Sequence, residues 1–336
     1  MIIALDAAYR AAADGRFPGH DLRFFPSDLI HPREFVPYLT ETQVLVTRRV
    51  FPFPFDRVLL EQAPHLQFIH KTGTGVDWFD MRLLDDVGVL LANNAGFNAS
   101  AVAEHTIMLM LLCLRGGVAN FGRWRAGVWE RSTPYEPVLL EGKTVGVVGL
   151  GAIGQHVARA VLGMGAQVIA TQHRPHPLSA DLAAVTVLPL DDLLERADIV
   201  TLHVPLTSAT RALIGARELA RMKPSATLLN TSRGQVIDES ALVEVLRAGR
   251  LRAAGLDVLA QEPTPPDNPL LAMPNVVITP HIGGGAAEIN LRQVAGALEN
   301  AARFAAGDLP HRLVNPELLT QPHLRAQHLR ARETER

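Results

Sequence analysis

The feature that most narrows the possible folds lies in mid-chain. There the apolar run Thr144–Val148 breaks into Gly149-Leu150-Gly151-Ala152-Ile153-Gly154 and resumes as a helix-compatible segment, Gln155–Leu162. Glycines in this order occur in many loops and alone carry little. Placed between an apolar strand and a helix, they specify a turn whose missing side chains let a pyrophosphate approach backbone N–H groups at the helix's positive end. Gly149, Gly151 and Gly154, with Ala152 and Ile153 between them, are therefore candidate cofactor-binding residues; the alternative is a purely structural tight turn.

The end of the next strand speaks to which dinucleotide. A site for NAD places Asp or Glu there to hold the ribose hydroxyls, whereas this chain reads Ala170-Thr171-Gln172-His173-Arg174. Neutral Gln172 removes repulsion against a 2′-phosphate, and Arg174 offers a fork of donors to it, with Thr171 and His173 as helpers. NADP(H) is the preferred cofactor on this reading; NAD(H) is possible if Arg174 only solvates a loop.

The 336 residues favour two domains. Both halves alternate short apolar runs with helix-like segments, the rhythm of parallel sheets. In the first half strands are expected at Ile2–Leu5, Leu22–Phe25, Val44–Thr47, Leu66–His70 and Val89–Ala92. After a boundary at Asn94–Asn98, they recur at Thr144–Val148, Gln167–Ala170, Ile199–Leu202, Thr227–Leu229, Ala254–Val258 and Val276–Ile278. The fold class expected is α/β with two domains, a Rossmann doubly wound parallel sheet inserted into a flavodoxin-like parallel-sheet domain. Residues 1–97 and 286–336 would form the discontinuous substrate domain, and 98–285 the dinucleotide-binding one. A helix opening near Ser100 carries the apolar run Ile107–Leu114, expected to be buried between domains. The Arg-rich stretch Thr320–Arg336 lacks an apolar period and is expected to be a loose terminus or an exposed helix.

Charge and composition remove other classes. Lys and Arg number 32 against 34 Asp and Glu, a net charge of −2, so no global field favours nucleic acid or an anionic membrane. No apolar stretch reaches the roughly 20 residues of a bilayer span, and the N-terminus lacks the order of a secretion signal. The single cysteine, Cys113, allows no internal disulfide and no cysteine zinc cluster, which fits a cytoplasmic protein. The thirteen histidines include no HExxH pair, so no metal site is expected.

Three later strands carry chemistry at their ends. Asn230-Thr231-Ser232-Arg233-Gly234 follows one, Asp257 lies within another with Glu262 beyond, and Thr279-Pro280-His281 follows the third. In a parallel sheet these ends share one edge, where such folds bind ligands. Reduction of a 2-oxo acid needs a hydride donor, a proton donor and a cation for the carboxylate. His281 can donate the proton, Glu262 would hold the imidazolium, and Arg233 would fork onto the carboxylate. Asp257 would accept from the nicotinamide ring edge or amide. Each has a plainer reading, an ion-pair partner for the arginine and a capped loop for the histidine; their occurrence together is the argument. In the first half Lys71-Thr72-Gly73-Thr74-Gly75-Val76-Asp77 follows a strand, and N–H groups at Thr74 and Gly75 would bind the substrate carboxylate. A structural turn is the alternative there. Lys71 would add charge or lie on the surface. Arg49, Phe51 and Phe53 would line a side-chain pocket, or be core and rim.

These motifs together resemble the D-isomer-specific 2-hydroxyacid dehydrogenase family, with its glyoxylate and hydroxypyruvate reductases, D-lactate dehydrogenases and phosphoglycerate dehydrogenases. The similarity runs from Thr72–Asp77 through Asn98–His105, Gly149–Gly154, Asn230–Gly234, Gly255–Val258 and Glu262-Pro263 to Pro280–Gly283. The resemblance implies that the family's Arg, Glu and His catalytic set falls on Arg233, Glu262 and His281. It also implies D-stereochemistry, a homodimer formed through nucleotide domains, and a cleft that closes over substrate. Gln172 departs from the acidic residue of NAD-using members, and Arg174 resembles the NADPH-using glyoxylate and hydroxypyruvate reductases. The substrate class implied is therefore a small 2-oxo acid. Phosphoglycerate or lactate dehydrogenase activity is the enzymatic alternative, and a corepressor-like nucleotide sensor of the same fold the non-catalytic one.

Overall fold

Short β-branched and aromatic runs separated by helices build a parallel five-stranded sheet at the start of the chain. Its strands are β1 (Ile2–Asp6), β2 (Asp21–Phe25), β3 (Val44–Thr47), β4 (Phe68–Lys71) and β5 (Leu90–Asn93), in the order β2-β1-β3-β4-β5. Helices α1 (Arg10–Ala13), α2 (Pro32–Leu39), α3 (Arg57–Glu61) and α4 (Met81–Val87) connect them. Their ends are set locally. Asp56 and Asp80 accept from the third helical N–H of α3 and α4, at 3.0 and 3.1 Å, and Gly88 closes α4 in the left-handed region. The computed structural model describes residues 1–29, 31–47, 53–129, 136–173 and 177–329. The chain forms two compact units, 1–98 with 286–336, and 99–285.

The second unit opens with α5 (Ala99–Leu114) and α6 (Gly117–Arg125). It continues β6 (Thr144–Val148), α7 (Ala152–Gly163), β7 (Gln167–Thr171), β8 (Thr186–Val187), α8 (Leu190–Arg196) and β9 (Ile199–Leu202). Then come α9 (Ala216–Arg221), β10 (Thr227–Asn230), α10 (Glu239–Arg247), β11 (Ala253–Leu256) and β12 (Val276–Ile278). All strand pairs are parallel, in the order β12-β11-β10-β9-β6-β7-β8, a doubly wound sheet whose direction of growth reverses between β6 and β9. The sheet has seven strands where six were expected; the extra one, β8, is an exposed two-residue edge pair, too short to show a period. Strands β6, β9 and β10 are buried on both faces, the arrangement that continuous apolar runs require.

Helix α5 is buried for a different reason from the one expected. Its Leu109, Met110, Cys113 and Leu114 pack with Val145, Val147, Val157, Val161, Leu229 and Val277, so the sheet of its own unit and α7 account for its apolarity. The approach is close enough to require glycine: a Cβ on Gly255 would lie 2.6 Å from Leu229 Cδ2 and 3.2 Å from both Cys113 Sγ and Leu109 Cβ.

The chain returns to the first sheet through α11 (Ala287–Ala305). Ala297, Leu298, Ala301 and Phe304 pack on Val44, Val46, Phe68 and Leu90, with Phe304 stacked on Phe68 at 4.9 Å. The opposite sheet face, Ala4, Leu45, Ile69 and Leu91, packs on Phe25, Phe35, Phe55 and Leu60. Residues 320–329 are neither the loose terminus nor the exposed helix expected. Leu324, Ala326 and Leu329 are buried in the first unit, Arg325 donates to Ala63 O and Leu66 O at 2.9 and 3.1 Å, and Gly88 leaves room for the His323 carbonyl. Three apolar residues at irregular spacing find a groove that periodicity does not announce. Residues 330–336 lie outside the described residues. Among those described, no single helix is long and apolar enough to cross a membrane.

Candidate active site

The glycine turn divides its labour. Gly149 leaves β6 at φ +94, and a Cβ there would lie 2.6 Å from His203 O; one on Gly154 would lie 2.1 Å from Gly149 O. Those two glycines let β6, β9 and α7 close on one another. Gly151 faces open space instead, at the N-cap of α7, where no side chain caps the helix and no acidic residue occupies the first turn. The first N–H groups of α7, including those of Ala152, Ile153 and Gly154, have no intrahelical acceptor. A side-chain-free turn at a helix's positive end fits a dinucleotide pyrophosphate.

Sequence reasoning overlooked His203. It follows β9 directly, on the same sheet edge, and its Nε2 lies 2.9 Å from Thr201 Oγ1. Although half-buried as a residue, it has an Nδ1 shut off from solvent without a hydrogen-bond partner among the described residues, and burial pulls the ring's pKa down to about 3. The available signal was a histidine at the end of an apolar strand beside the glycine turn.

Strand β7 ends at Thr171. Thr171 and Gln172 are half-buried, His173 is exposed, and none of the three carries a carboxylate. Arg174 lies outside the described residues, as do Arg49 and Phe51. Phe53 is buried, in aromatic contact with Phe35 at 6.1 Å.

At the end of β10 the buried Asn230 shapes the turn that carries Arg233. Its Oδ1 accepts from Ser232 N and Oγ at 3.0 and 2.7 Å, and its Nδ2 donates to Arg233 O at 2.9 Å. Gly234 then passes against the loop after β11; a Cβ there would lie 1.9 Å from Leu259 C and O. That loop is fixed by Glu239 of α10, which accepts from Ala260 N and Asn268 Nδ2, each at 2.8 Å. It presents Glu262, which accepts from Leu259 N through Oε1 at 3.1 Å and meets His281 Nδ1 through Oε2 at 2.7 Å. Burial alone would raise the Glu262 pKa. The hydrogen bond and charge of His281, the Leu259 N–H and the Arg233 charge outweigh it and hold the carboxyl below its usual range.

Asp257, buried just past β11, organises the loop that bears His281. Its Oδ1 accepts from Thr279 Oγ1 at 2.6 Å and Ile282 N at 2.9 Å, its Oδ2 from Gly283 N at 2.8 Å, and its carbonyl from His281 N at 2.8 Å. His105 of α5, also overlooked, adds Nε2 at 2.8 Å from Thr279 Oγ1 and 3.2 Å from Asp257 Oδ1. Arg233, Asp257, Glu262 and His281 therefore lie together at one sheet edge, with His281 and Glu262 partly open to solvent. Such a set can bind an anion and move a proton on or off the free Nε2 side of an imidazole.

In the first unit the turn after β4 is tightly braced. Gly73, at φ +109, donates to Asn94 Oδ1 at 3.1 Å and accepts from Asn94 N at 2.9 Å; Asn93 Nδ2 donates to Thr74 O at 2.7 Å, and the Thr74 hydroxyl to Asn98 Oδ1 at 2.9 Å. The N–H groups of Thr74 and Gly75 make no hydrogen bond to a described residue. Lys71, for which a surface position was one reading, is 4% exposed.

The family described as "D-isomer specific 2-hydroxyacid dehydrogenase, NAD binding domain" has a sequence profile that matches residues 107–283. A glyoxylate reductase of Aeropyrum pernix is 39% identical over 276 residues, covering 79% of this chain and 82% of its own. A D-3-phosphoglycerate dehydrogenase of Mycobacterium tuberculosis is 38% identical over 260 residues, covering 77% of this chain but 49% of its own length. Among solved structures, a glyoxylate reductase from Paecilomyes thermophila superposes with a TM-score of 0.84 at 28% identity, covering 94% of this chain and 98% of its own.

Proposed function

Because this chain belongs to the D-isomer specific 2-hydroxyacid dehydrogenase family, we propose that it reduces a small 2-oxo acid of the glyoxylate or hydroxypyruvate class to the D-2-hydroxy acid, with NADPH preferred over NADH. That it is a nicotinamide-dependent 2-oxo acid oxidoreductase follows from the family; the substrate, cofactor preference and residue roles are the reading developed below. The observation that carries it is the 2.7 Å pair between His281 Nδ1 and Glu262 Oε2, set beside Arg233.

A bound reduced nicotinamide supplies the hydride. Gly149, Gly151, Ala152, Ile153 and Gly154 would hold its pyrophosphate, Thr171, Gln172, His173 and Arg174 its adenosine end, and Asp257 the nicotinamide amide. Glu262 fixes Nδ1 as the bonded nitrogen, which leaves Nε2 of His281 to deliver the proton to the developing alkoxide. Arg233 binds the carboxylate and polarises the adjacent carbonyl. In the first unit, the N–H groups of Thr74 and Gly75 would bind a substrate carboxylate. The absence of a carboxylate among residues 171–173 supports NADPH.

The test is a matrix of glyoxylate, hydroxypyruvate, pyruvate and 3-phosphohydroxypyruvate against both reduced cofactors. Highest kcat/KM with glyoxylate or hydroxypyruvate and NADPH is expected. Preference for the phosphorylated acid would replace the substrate reading, and cofactor binding with no turnover would favour the nucleotide-sensor alternative. Gln172→Asp should move the NADPH to NADH ratio toward NADH; an unmoved ratio would overturn the cofactor reading. A homodimer through the second unit is supported by the exposed Phe121 and Trp124 of α6, edge to face at 5.4 Å, and by Trp129 at 89% exposure; light scattering reads it directly.

A further inference from the structure

We propose that His70 is a positioning residue for the substrate-carboxylate cradle at Thr74–Gly75, acting through Asn94 as a neutral imidazole protonated at Nε2. The inference rests on the reading of that turn as a carboxylate cradle.

His70 lies on β4, fully buried, with its ring toward α11. Two amides meet it. Asn300 Nδ2 lies 3.2 Å from Nδ1, and Asn94 Oδ1 lies 3.4 Å from Nε2. Neither amide is free to turn over. The Asn300 side chain clamps the backbone of one residue, its Nδ2 donating to His311 O and its Oδ1 accepting from His311 N, both at 2.8 Å. The group facing Nδ1 is therefore a donor, and Nδ1 must keep its lone pair. Asn94 Oδ1 accepts from Gly73 N, so the group facing Nε2 is an acceptor, and Nε2 must carry the proton. The tautomer is fixed at both ends by backbone groups. A proton on Nδ1 would set donor against donor. Burial keeps the ring neutral, at a pKa of about 4, with the Asn94 hydrogen bond opposing and the Lys71 and Arg312 charges assisting.

Asn94 is the link from this ring to the cradle. It brackets Gly73 by donating to its carbonyl and accepting from its N–H, one residue before the Thr74 N–H. Helix α11 is cut away to admit it: a Cβ on Gly296, one turn before Asn300, would lie 3.1 Å from Asn94 Nδ2 and 2.6 Å from the Phe97 ring. Without the imidazole, Asn94 Oδ1 loses a donor and the Gly73 bracket loses its backing. The residues proposed for cofactor binding and proton transfer all lie in 99–285, so loss of His70 should weaken oxo-acid binding and spare cofactor affinity.

The test uses full-length enzyme saturated with NADPH, and reads three quantities for wild type, His70→Leu and His70→Gln. These are oxalate affinity by calorimetry, the kcat and KM for the best oxo acid, and NADPH affinity. Expected for His70→Leu is about a tenfold loss of oxalate affinity and rise in KM, with kcat within about threefold and NADPH affinity unchanged. Gln keeps an amide donor and should recover most of the loss, which a merely structural role would not produce. Unchanged oxalate affinity and KM in folded His70→Leu would overturn the proposal. Should Leu fail to fold, His70→Gln and 15N spectra of the wild-type imidazoles decide it: a His70 resonance protonated at Nδ1 or at both nitrogens at pH 7 overturns it. Wild type that binds NADPH but neither binds oxalate nor turns over any oxo acid would refute the cradle itself, a different failure.

Discussion

His281 holds φ at +53, in the left-handed region that most side chains avoid, and it does so because Asp257 catches the N–H groups on either side of the bend. Asparagine tolerates that conformation, so His281→Asn should preserve the loop while removing the proton donor. The expected result is a fall in kcat of roughly 10²- to 10⁴-fold, with NADPH affinity unchanged by fluorescence titration. Asp257→Asn should act differently, since one of its acceptor oxygens becomes an NH2 facing either Gly283 N–H or Ile282 N–H. Loss of loop order, read as faster amide exchange at residues 282 and 283, should accompany its loss of rate. That Arg233, Glu262 and His281 gather at one sheet edge was legible because each is a chemically capable side chain in the loop that leaves a strand. His203 met the same criterion and was overlooked, while His105, His70 and Asn94 matter only through partners far away in sequence, which no local pattern displays.

Among the elements, strand β11 shows where sequence pattern and hydrogen bonding part company. Apolar residues on either side of Asp257 suggest Ala254–Val258, but the strand ends at Leu256; the Asp257 N–H on Asn230 O at 2.9 Å is the last bond across to β10. Apolar pattern reports burial, and burial outlasts pairing here. The same limit explains α5, whose apolarity announces burial without saying against what. Gly255→Val would drive side-chain atoms into Leu229, Leu109 and Cys113, and a destabilisation of about 1–3 kcal/mol or more is expected in urea unfolding. Burial pushes the Cys113 thiol up to about 12, so it should react with a thiol reagent only once its unit opens, at a rate that follows denaturant concentration. The segment 320–329 was illegible for the opposite reason, having contacts without periodicity. Arg325→Ala should cost on the order of 1–3 kcal/mol, because the carbonyls of Ala63 and Leu66 lose a charged donor.

For the whole molecule, the buried imidazole of His70 makes stability depend on pH. Its pKa falls from an ordinary 6.5 to about 4 on folding, so above pH 6.5 neither state carries the proton and the full stability is present. Between 6.5 and about 4 the unfolded chain takes up a proton the folded one refuses, and stability declines. Urea midpoints measured from pH 7.5 to 4 should fall over that window in wild type, and less steeply in His70→Gln.

The first unit is assembled from two separate segments of the polypeptide, with 187 residues of the other unit between Asn98 and Ala286. On the ribosome, the opening five strands emerge with Phe68, Leu90 and Val44 uncovered, and α11 reaches them only after the whole of 99–285 has been made. The middle of the protein, contiguous and complete in itself, is then free to fold first, while its predecessor waits with an apolar face in need of shelter. Nascent chains stalled near residue 285 should be captured by a chaperone through that face, and chains released after 329 should not.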